Sequence, residues 1–177
     1  AGQILHTAKQ LGCTLPLYLE NAADFFYEGT PYLDENTIAV IASISGDTPE
    51  VVAAVDKVHE AGARVIGYVE KKGTPLYEKS DYLIHTVGGE YYFWYAVTLR
   101  FMRNKGLFDQ YDQFFNEIKV MPENVVQIYK DADAEMRAYA EKYCDEPITY
   151  LVGSGNLEDW AVCYGMCIME EMQWMRT

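Results

Sequence analysis

The chain has 177 residues, of which 50% are hydrophobic, and its formal net charge at pH 7 is −13. This length suits one full domain, or one domain and part of a second, and the apolar fraction supplies a sizeable core. The charge argues against nucleic acid as a partner, because a phosphate backbone would be repelled.

The first half of the chain alternates between strand and helix patterns. Residues 37–42 are an uninterrupted, largely β-branched run, which is typical of a strand buried on both faces of a parallel sheet. Pro49 and Glu50 then mark the start of a helix. In chain order, the predicted elements are a helix at 3–11, a strand at 14–19, a helical turn at 22–27, a strand at 37–42, a helix at 51–61, a strand at 63–69, a short helix from 74 and a strand at 82–86. This order predicts an α/β fold with a doubly wound parallel sheet flanked by helices.

The second half has a different character. Residues 90–143 are rich in aromatic residues and have helical spacing with breaks near Gly106 and Pro122, which predicts two or three packed helices. A strand at 148–152 and a final helix from about residue 159 follow.

These patterns predict three parts. They are a first α/β unit at 1–89, a helical connector at 90–146, and the opening strand and helix of a second α/β unit at 147–177. The first unit lacks its first strand and the second stops after one helix, so we expect the chain to be a piece of a longer protein.

The sequence indicates neither a membrane span nor a cofactor. Apolar runs end well before the ~18 residues of a span, and the N-terminus has no signal-peptide pattern, so we predict a cytoplasmic protein. Cys163 and Cys167 are four residues apart on a predicted helix, a poor geometry for a disulfide, so we expect buried, reduced thiols. His6, His59 and His85 lie in separate elements without metal spacing. We predict no metal and no organic cofactor.

The segment at 43–48 joins a predicted strand to the next helix. Backbone N–H groups and the positive end of the dipole at a helix N-terminus attract anions. The hydroxyls of Ser43, Ser45 and Thr48 can each donate to a phosphate oxygen, and Gly46 lets the backbone approach closely. No lysine stands where a Walker A loop has one, so a nucleoside triphosphate with magnesium is not indicated. The residues alone leave open that these side chains only cap the helix.

This segment carries a family resemblance. The sequence A-S-I-S-G-D-T-P-E at 42–50 resembles the S-x-S-G-x-T-x-E signature of sugar isomerase (SIS) domains. Three further segments are similar to the family pattern: L-Y-L-E-N-A-A-D-F-F-Y at 17–27, A-G-A-R-V-I-G at 61–67 and T-P-L-Y-E-K-S-D-Y-L-I at 74–84. The resemblance implies an SIS fold over nearly all of residues 3–86. It also implies that Ser43, Ser45, Gly46 and Thr48 hold a sugar phosphate.

A second resemblance lies near the C-terminus. Residues 152–174 are similar to the opening of the second unit in double-SIS proteins, closest to fructosamine 6-phosphate deglycases and the isomerase half of glucosamine-6-phosphate synthases. This alignment places Glu171 on the catalytic glutamate, and a slip of one residue would place Glu170 there. A carboxylate suits proton transfer between C1 and C2 of an open-chain sugar, and we expect a partly apolar helix face around it.

Other sugar contacts are expected from the same resemblance. Ser154 and Gly155 are candidate contacts, although they also suit a tight turn between strand and helix. Ile44 stands where the synthase has a glutamine, and Ile168 or Met169 stands where the synthase has a lysine. These differences disfavour glucosamine-6-phosphate synthesis.

The preferred interpretation is a deglycase that converts fructosamine 6-phosphates to hexose 6-phosphate and amine. An aldose–ketose isomerase or aminosugar synthase is one alternative. A non-catalytic phosphosugar sensor is another, although no basic helix-turn-helix accompanies the domain here. The expected partners are a sugar phosphate and a second copy of the chain, as a homodimer or larger homo-oligomer. The aromatic cluster at 91–95 suits either the core or a subunit interface, and the interface is preferred because SIS proteins usually pair.

Overall fold

A parallel sheet in the order β1-β2-β3 organises the N-terminal half of the protein, with β1 at Ile38–Ser43, β2 at Arg64–Val69 and β3 at Tyr82–His85. The computed structural model describes residues 1–177 apart from the side chain of Asn156. The helices are α1 (Gly2–Gln10), α2 (Ala22–Glu28), α3 (Pro49–Glu60), α4 (Pro75–Lys79), α5 (Glu90–Asn104), α6 (Tyr111–Ile118), α7 (Met121–Tyr143) and α8 (Glu158–Cys163). A 3-10 turn at Gly155–Leu157 precedes α8 and a π-helical turn at Tyr164–Glu170 follows it.

The chain divides into two units. One is Tyr18–Tyr95, which contains the sheet, and the other combines Ala1–Leu17 with Ala96–Thr177. In the sheet unit, α3 connects β1 to β2 and α4 connects β2 to β3, so both connections are the helical crossovers that parallel pairing requires. This confirms the predicted α/β fold with a parallel sheet flanked by helices.

The core of the sheet unit lies between the sheet and the helices α2, α3 and α4. Val55, Val65 and Val69 are fully buried at its centre. The complete cluster consists of Phe25, Ala54, Val55, Val58, Ala63, Val65, Val69 and Leu76. The members from α3 recur at helical spacing, which is why one face of that helix docks on the sheet.

Asp81 ties β3 to the rest of the sheet unit. One of its carboxylate oxygens accepts hydrogen bonds from the backbone N–H of Val65 at 2.7 Å and from Nε2 of His59 at 3.1 Å. The bond from Val65, assisted by His59, holds the pKa of Asp81 below its usual range. The carboxylate thus fixes the entry to β3.

Tyr68 is the largest fully buried side chain of the sheet unit. Its ring packs against Phe93 with centroids 5.3 Å apart, and its hydroxyl donates to Oε1 of Glu70 at 3.0 Å. Burial, followed by this hydrogen bond, raises the pKa of Tyr68 to about 12. Phe93 therefore belongs to the core, which contradicts its prediction as an interface residue.

The second unit is helical. Leu99 and Met102 of α5 are buried, and Arg103 pairs with Asp112 of α6. At the other end of this unit, α1 packs near α8, where Nδ1 of His6 lies 3.1 Å from Oδ2 of Asp159. These helices confirm the predicted helical stretch. Pro122 occupies the first turn of α7, where its missing N–H costs no helical hydrogen bond.

Several sequence predictions are wrong. Residues 14–19 and 148–152 form no strand in the described structure, because a strand needs a hydrogen-bonded neighbour along its length. In the second segment, the N–H of Thr149 donates to the carbonyl oxygen of Arg176, but no ladder forms. The cysteines are free as predicted but are not buried: Cys144, Cys163 and Cys167 are exposed and Cys13 is partly exposed.

Within the described residues, no helix combines the length and the hydropathy that a membrane crossing would require. No group of three or more histidine, cysteine or acidic side chains is arranged to hold a metal ion there either.

Candidate functional site

The loop at 43–48 begins at the carboxyl end of β1 and leads into α3. Ser43 is paired in register with Val69 of β2, and Val69 with His85 of β3, so the three strands end at one edge of the sheet. Crevices outside the carboxyl ends of parallel strands are the usual ligand sites of open α/β sheets. The loop predicted to hold a phosphate therefore lies where this fold presents its ligands.

Backbone and side-chain hydrogen bonds hold the loop in place. Oγ of Ser43 accepts a hydrogen bond from the N–H of Gly46 at 3.0 Å, which closes a tight turn. The carbonyl oxygen of Ile44 accepts from the N–H of Glu70 at 3.2 Å, and that of Gly46 accepts from Leu76 at 3.0 Å. The loop is therefore fastened to the segment that connects β2 to α4.

Gly46 requires the absence of a side chain for two reasons. Its φ of +72° lies in the left-handed region that side-chain-bearing residues disfavour. A Cβ there would also collide with Oγ1 of Thr74 and would lie 2.5 Å from Cγ2 of Val69. The loop thus passes closely over β2 and the start of α4.

The hydroxyls of Ser45 and Thr48 lie beside each other, with their oxygens 3.4 Å apart. Thr48 stands at the N-cap position of α3, yet in the described chain its side chain makes no capping hydrogen bond. Thr48 therefore does not act as a helix cap, which was the alternative role considered for these hydroxyls. One of the two hydroxyls donates to the other, so that hydroxyl would have to rotate for both to donate to an anion at the head of α3.

The charged residues in the loop and in the helical turn after it are acidic. Asp47 lies within it, and Glu50 in the first turn of α3 is exposed and interacts favourably with the helix dipole. An anion here would be bound by hydroxyls, backbone N–H groups and the dipole rather than by a cation of the loop itself. Such neutral donors still bind phosphate at helix N-termini.

Glu70 is a site-edge residue that the sequence motifs did not indicate. Its Oε1 accepts hydrogen bonds from the Tyr68 hydroxyl and from the N–H of Gly88 at 2.9 Å. Its carbonyl oxygen lies 3.1 Å from Nε2 of His85. Glu70 therefore ties the ends of β2 and β3 together. In the sequence, only its position directly after a buried strand could have indicated this role.

The other predicted site residues lie in the helical unit. Glu171 follows the π-helical turn and donates its N–H to the carbonyl oxygen of Met166 at 3.0 Å. Its side chain is exposed in the described structure. The neighbouring Glu170 differs, because its Oε1 accepts a hydrogen bond from the hydroxyl of Thr177.

Ser154 and Gly155 form the turn before α8. Ser154 is exposed, and its carbonyl oxygen accepts the N–H of Leu157 at 3.1 Å. Gly155 has a φ of +55°, which suits the tight turn considered from the sequence. Ile44, the remaining candidate sugar contact, is 56% exposed on the loop at 43–48.

Comparison with known proteins places this geometry in a family. The SIS domain family model matches residues 8–108, which is more than half of the chain. Fructosamine deglycase FrlB of Bacillus subtilis is 27% identical over 170 residues, which cover 90% of this chain and 51% of the deglycase. The isomerizing glutamine–fructose-6-phosphate aminotransferase of Corynebacterium glutamicum is 25% identical over 86% of this chain and 27% of its own length. The chain thus spans about half of the first relative and about a quarter of the second.

Solved structures agree with this relationship. A protein of Salmonella typhimurium described as a phosphosugar isomerase superposes with a TM-score of 0.86 at 27% identity, covering 98% of this chain and 56% of that one. A Bacillus subtilis structure with a TM-score of 0.90 and 21% identity shows the same fold. The family model and the solved structures agree, and the chain belongs to the SIS domain family.

Proposed function

We propose that this protein binds a sugar phosphate at the loop 43–48 and acts as a deglycase on fructosamine 6-phosphates. The observation that carries the proposal is the loop itself. It lies at the carboxyl edge of the sheet, it is fastened at Ile44 and Gly46, and it presents two hydroxyls at the head of α3. The relationship to a fructosamine deglycase supports the choice of substrate.

The phosphate would be held by neutral donors. The hydroxyls of Ser45 and Thr48 would donate to two of its oxygens, and the close approach of backbone at Gly46 would bring N–H groups near a third. Ser43 would act partly by shaping the turn, because its oxygen already accepts from Gly46. A hydrogen bond to a charged group contributes roughly 1.5–3 kcal/mol.

The chemical step would move a proton between two carbon atoms. In a ring-opened ketoamine, a base takes a proton from C1, and protonation at C2 then gives an imine that is an isomer of the starting ketoamine. No oxidant is needed. Water then adds across the C1=N bond and releases hexose 6-phosphate and the free amine.

Glu171 is the proposed base. Its carboxylate is exposed, whereas that of the neighbouring Glu170 is engaged by Thr177. A carboxylate without such a partner is the better candidate to take up and return a proton. Ser154 and Gly155, in the turn before α8, are proposed to contact the sugar.

The first experiment tests binding. Fructosamine 6-phosphate would be titrated calorimetrically into the full chain, into a Ser45→Ala/Thr48→Ala variant and into Thr14→Ala, an exposed control in the other unit. Loss of two hydrogen bonds to the phosphate should raise the Kd by roughly a hundredfold or more, with the control unchanged. Equal affinities in all three proteins would contradict the proposed phosphate site.

The second experiment tests chemistry. Amine release would be followed in Glu171→Gln and, as the matched control, in Glu170→Gln. The first variant should lose turnover while it still binds the substrate, and the second should retain it. Turnover by the Glu171→Gln protein at the parent rate would exclude this residue as the base.

An aldose–ketose isomerase is the second candidate. The observation in its favour is the similarity to isomerizing aminotransferases, which reaches 33% identity over 89 residues covering half of this chain. Interconversion of hexose 6-phosphates without release of an amine would favour this candidate over the deglycase.

A further inference from the structure

The loop at 43–48 contributes no positive side chain to an anion at the head of α3. Its own charged residue is Asp47, and the charged residue in the first turn of α3 is Glu50; both are acidic and exposed. A phosphate monoester carries about −1.5 to −2 charges at neutral pH. Hydroxyls, backbone N–H groups and the helix dipole compensate this charge only in part, so a cation from a neighbouring element would strengthen binding.

The segment that connects β2 to α4 lies directly beside this loop. At its start, the N–H of Glu70 donates to the carbonyl oxygen of Ile44 at 3.2 Å. At its end, the N–H of Leu76 donates to the carbonyl oxygen of Gly46 at 3.0 Å. Both ends of the connection are therefore attached to the loop, and all of these residues belong to the sheet unit.

Lys71 and Lys72, the lysine pair, lie between these two attachment points. The carbonyl oxygen of Lys71 accepts a hydrogen bond from Oγ1 of Thr74 at 3.3 Å, and this hydroxyl in turn lies against Gly46. Both lysines are exposed, and in the described structure neither ammonium group has a hydrogen-bond or ion-pair partner. Lysine carries its charge on a flexible four-carbon stem, so it can reach an anion held by the adjacent loop.

The other cationic side chains of the sheet unit are engaged elsewhere. Besides the lysine pair, the unit contains three lysine and arginine residues. Lys57 donates to carbonyl oxygens at the end of α2, and Lys79 pairs with Asp56. Arg64 is the first residue of β2, at the end of the sheet opposite the loop at 43–48. Among the described lysines and arginines of this unit, only the lysine pair combines free ammonium groups with a position beside the loop.

We propose that the lysine pair supplies the positive charge that holds the phosphate, and that it makes the site select dianionic esters over monoanionic ones. This inference rests on the proposed phosphate site. The attraction of an ammonium group grows with the charge of its ligand, whereas a hydrogen bond from a neutral hydroxyl depends on that charge less. Lysine binds phosphate as a point charge without a fixed orientation, which suits an exposed connection. The preferred substrate class is therefore phosphate monoesters rather than sulfate analogues of the same sugar.

Two probes of similar shape and different charge test the selection. Fructose 6-phosphate and fructose 6-sulfate, which carries one charge, would each be titrated calorimetrically at about pH 7.5, where the phosphate is mainly a dianion. The proteins are the parent chain, Lys71→Gln/Lys72→Gln, and Lys105→Gln/Lys130→Gln as the matched control. The control changes the net charge equally at two exposed positions in the other unit.

The lysine-pair variant should lose affinity mainly for the phosphate. We expect its Kd for fructose 6-phosphate to rise by about tenfold or more and its Kd for the sulfate by about threefold or less, with the control unchanged. Lys71→Arg/Lys72→Arg keeps the charge and should retain the parent's preference for phosphate. Circular dichroism establishes that all variants are folded. Equal losses for the two probes would show that the lysines only shape the connection, and would overturn the inference.

The same titrations separate this inference from the proposed phosphate site. If Ser45→Ala/Thr48→Ala weakens binding of fructose 6-phosphate and Lys71→Gln/Lys72→Gln does not, the role of the lysine pair is refuted and the phosphate site stands. If the parent chain shows no saturable binding of fructose 6-phosphate, both are refuted.

Discussion

Replacement of Gly46 by alanine tests the packing on which the loop at 43–48 depends. The first cost is conformational, because a φ of +72° is about 1–2 kcal/mol unfavourable for a residue with a Cβ. The second cost is steric. The new methyl group would meet Oγ1 of Thr74 and would lie 2.5 Å from Cγ2 of Val69, and Val69 is fully buried in β2. Overpacking of this kind costs about 1–3 kcal/mol.

Gly73 supplies a matched control. Its φ is +69°, almost the same as that of Gly46, but among the described residues beyond its two chain neighbours no atom lies within 4 Å of the position that its Cβ would occupy. Gly73→Ala therefore carries the conformational cost and not the steric one. The difference between the two variants isolates the close approach of the loop to Thr74 and Val69.

Urea denaturation followed by circular dichroism measures both variants. We expect Gly46→Ala to lose about 2–5 kcal/mol of the free energy of unfolding, and Gly73→Ala about 1–2 kcal/mol. The Gly46 variant should also bind phosphosugar more weakly, because the loop must move to relieve the collision. Equal losses of stability in the two variants would refute the reasoning, since they would show that nothing packs against Gly46.

Three further outcomes are expected. Ser43→Ala should lower the free energy of unfolding by about 1–2 kcal/mol, because it leaves the N–H of Gly46 without its acceptor. Thr48→Ala should change it by under about 0.5 kcal/mol, because this side chain caps no helix, and urea denaturation measures both variants. Because the pKa of Tyr68 is raised to about 12, the stabilisation by its neutral phenol is complete below pH 10 and is lost between pH 10 and 12. A Tyr68→Phe variant should not show this loss of stability. The lowered pKa of Asp81 means that its contribution is present above about pH 4 and is lost on further acidification. Asp81→Asn should cost about 1 kcal/mol at pH 7 and show a weaker acid dependence in the same assay.

The elements of the sheet unit were predictable because their signals are local. The β-branched run before Ser43 became β1, Pro49 opened α3, and Gly62 ended the connection before β2. Each of these residues acts through its own backbone preference or through its immediate neighbours. The position of the loop at 43–48 followed from the same reasoning, since it depends only on a strand, a turn and a helix.

The wrong predictions share a physical cause. The segments at 14–19 and 148–152 have apolar, extended patterns, but a strand exists only when another strand completes its hydrogen bonds. The residue pattern of a segment does not show whether a second strand lies beside it to complete its hydrogen bonds.

By itself, the sequence determined the order of strands and helices, the loop at 43–48 and the family, because backbone propensities and a contiguous motif do not depend on distant residues. Only the tertiary structure decided that Gly46 must be glycine for lack of space, that Asp81 anchors β3 and that Glu70 joins two strand ends. These contacts join residues far apart in the chain, so they arise from packing that no local pattern encodes.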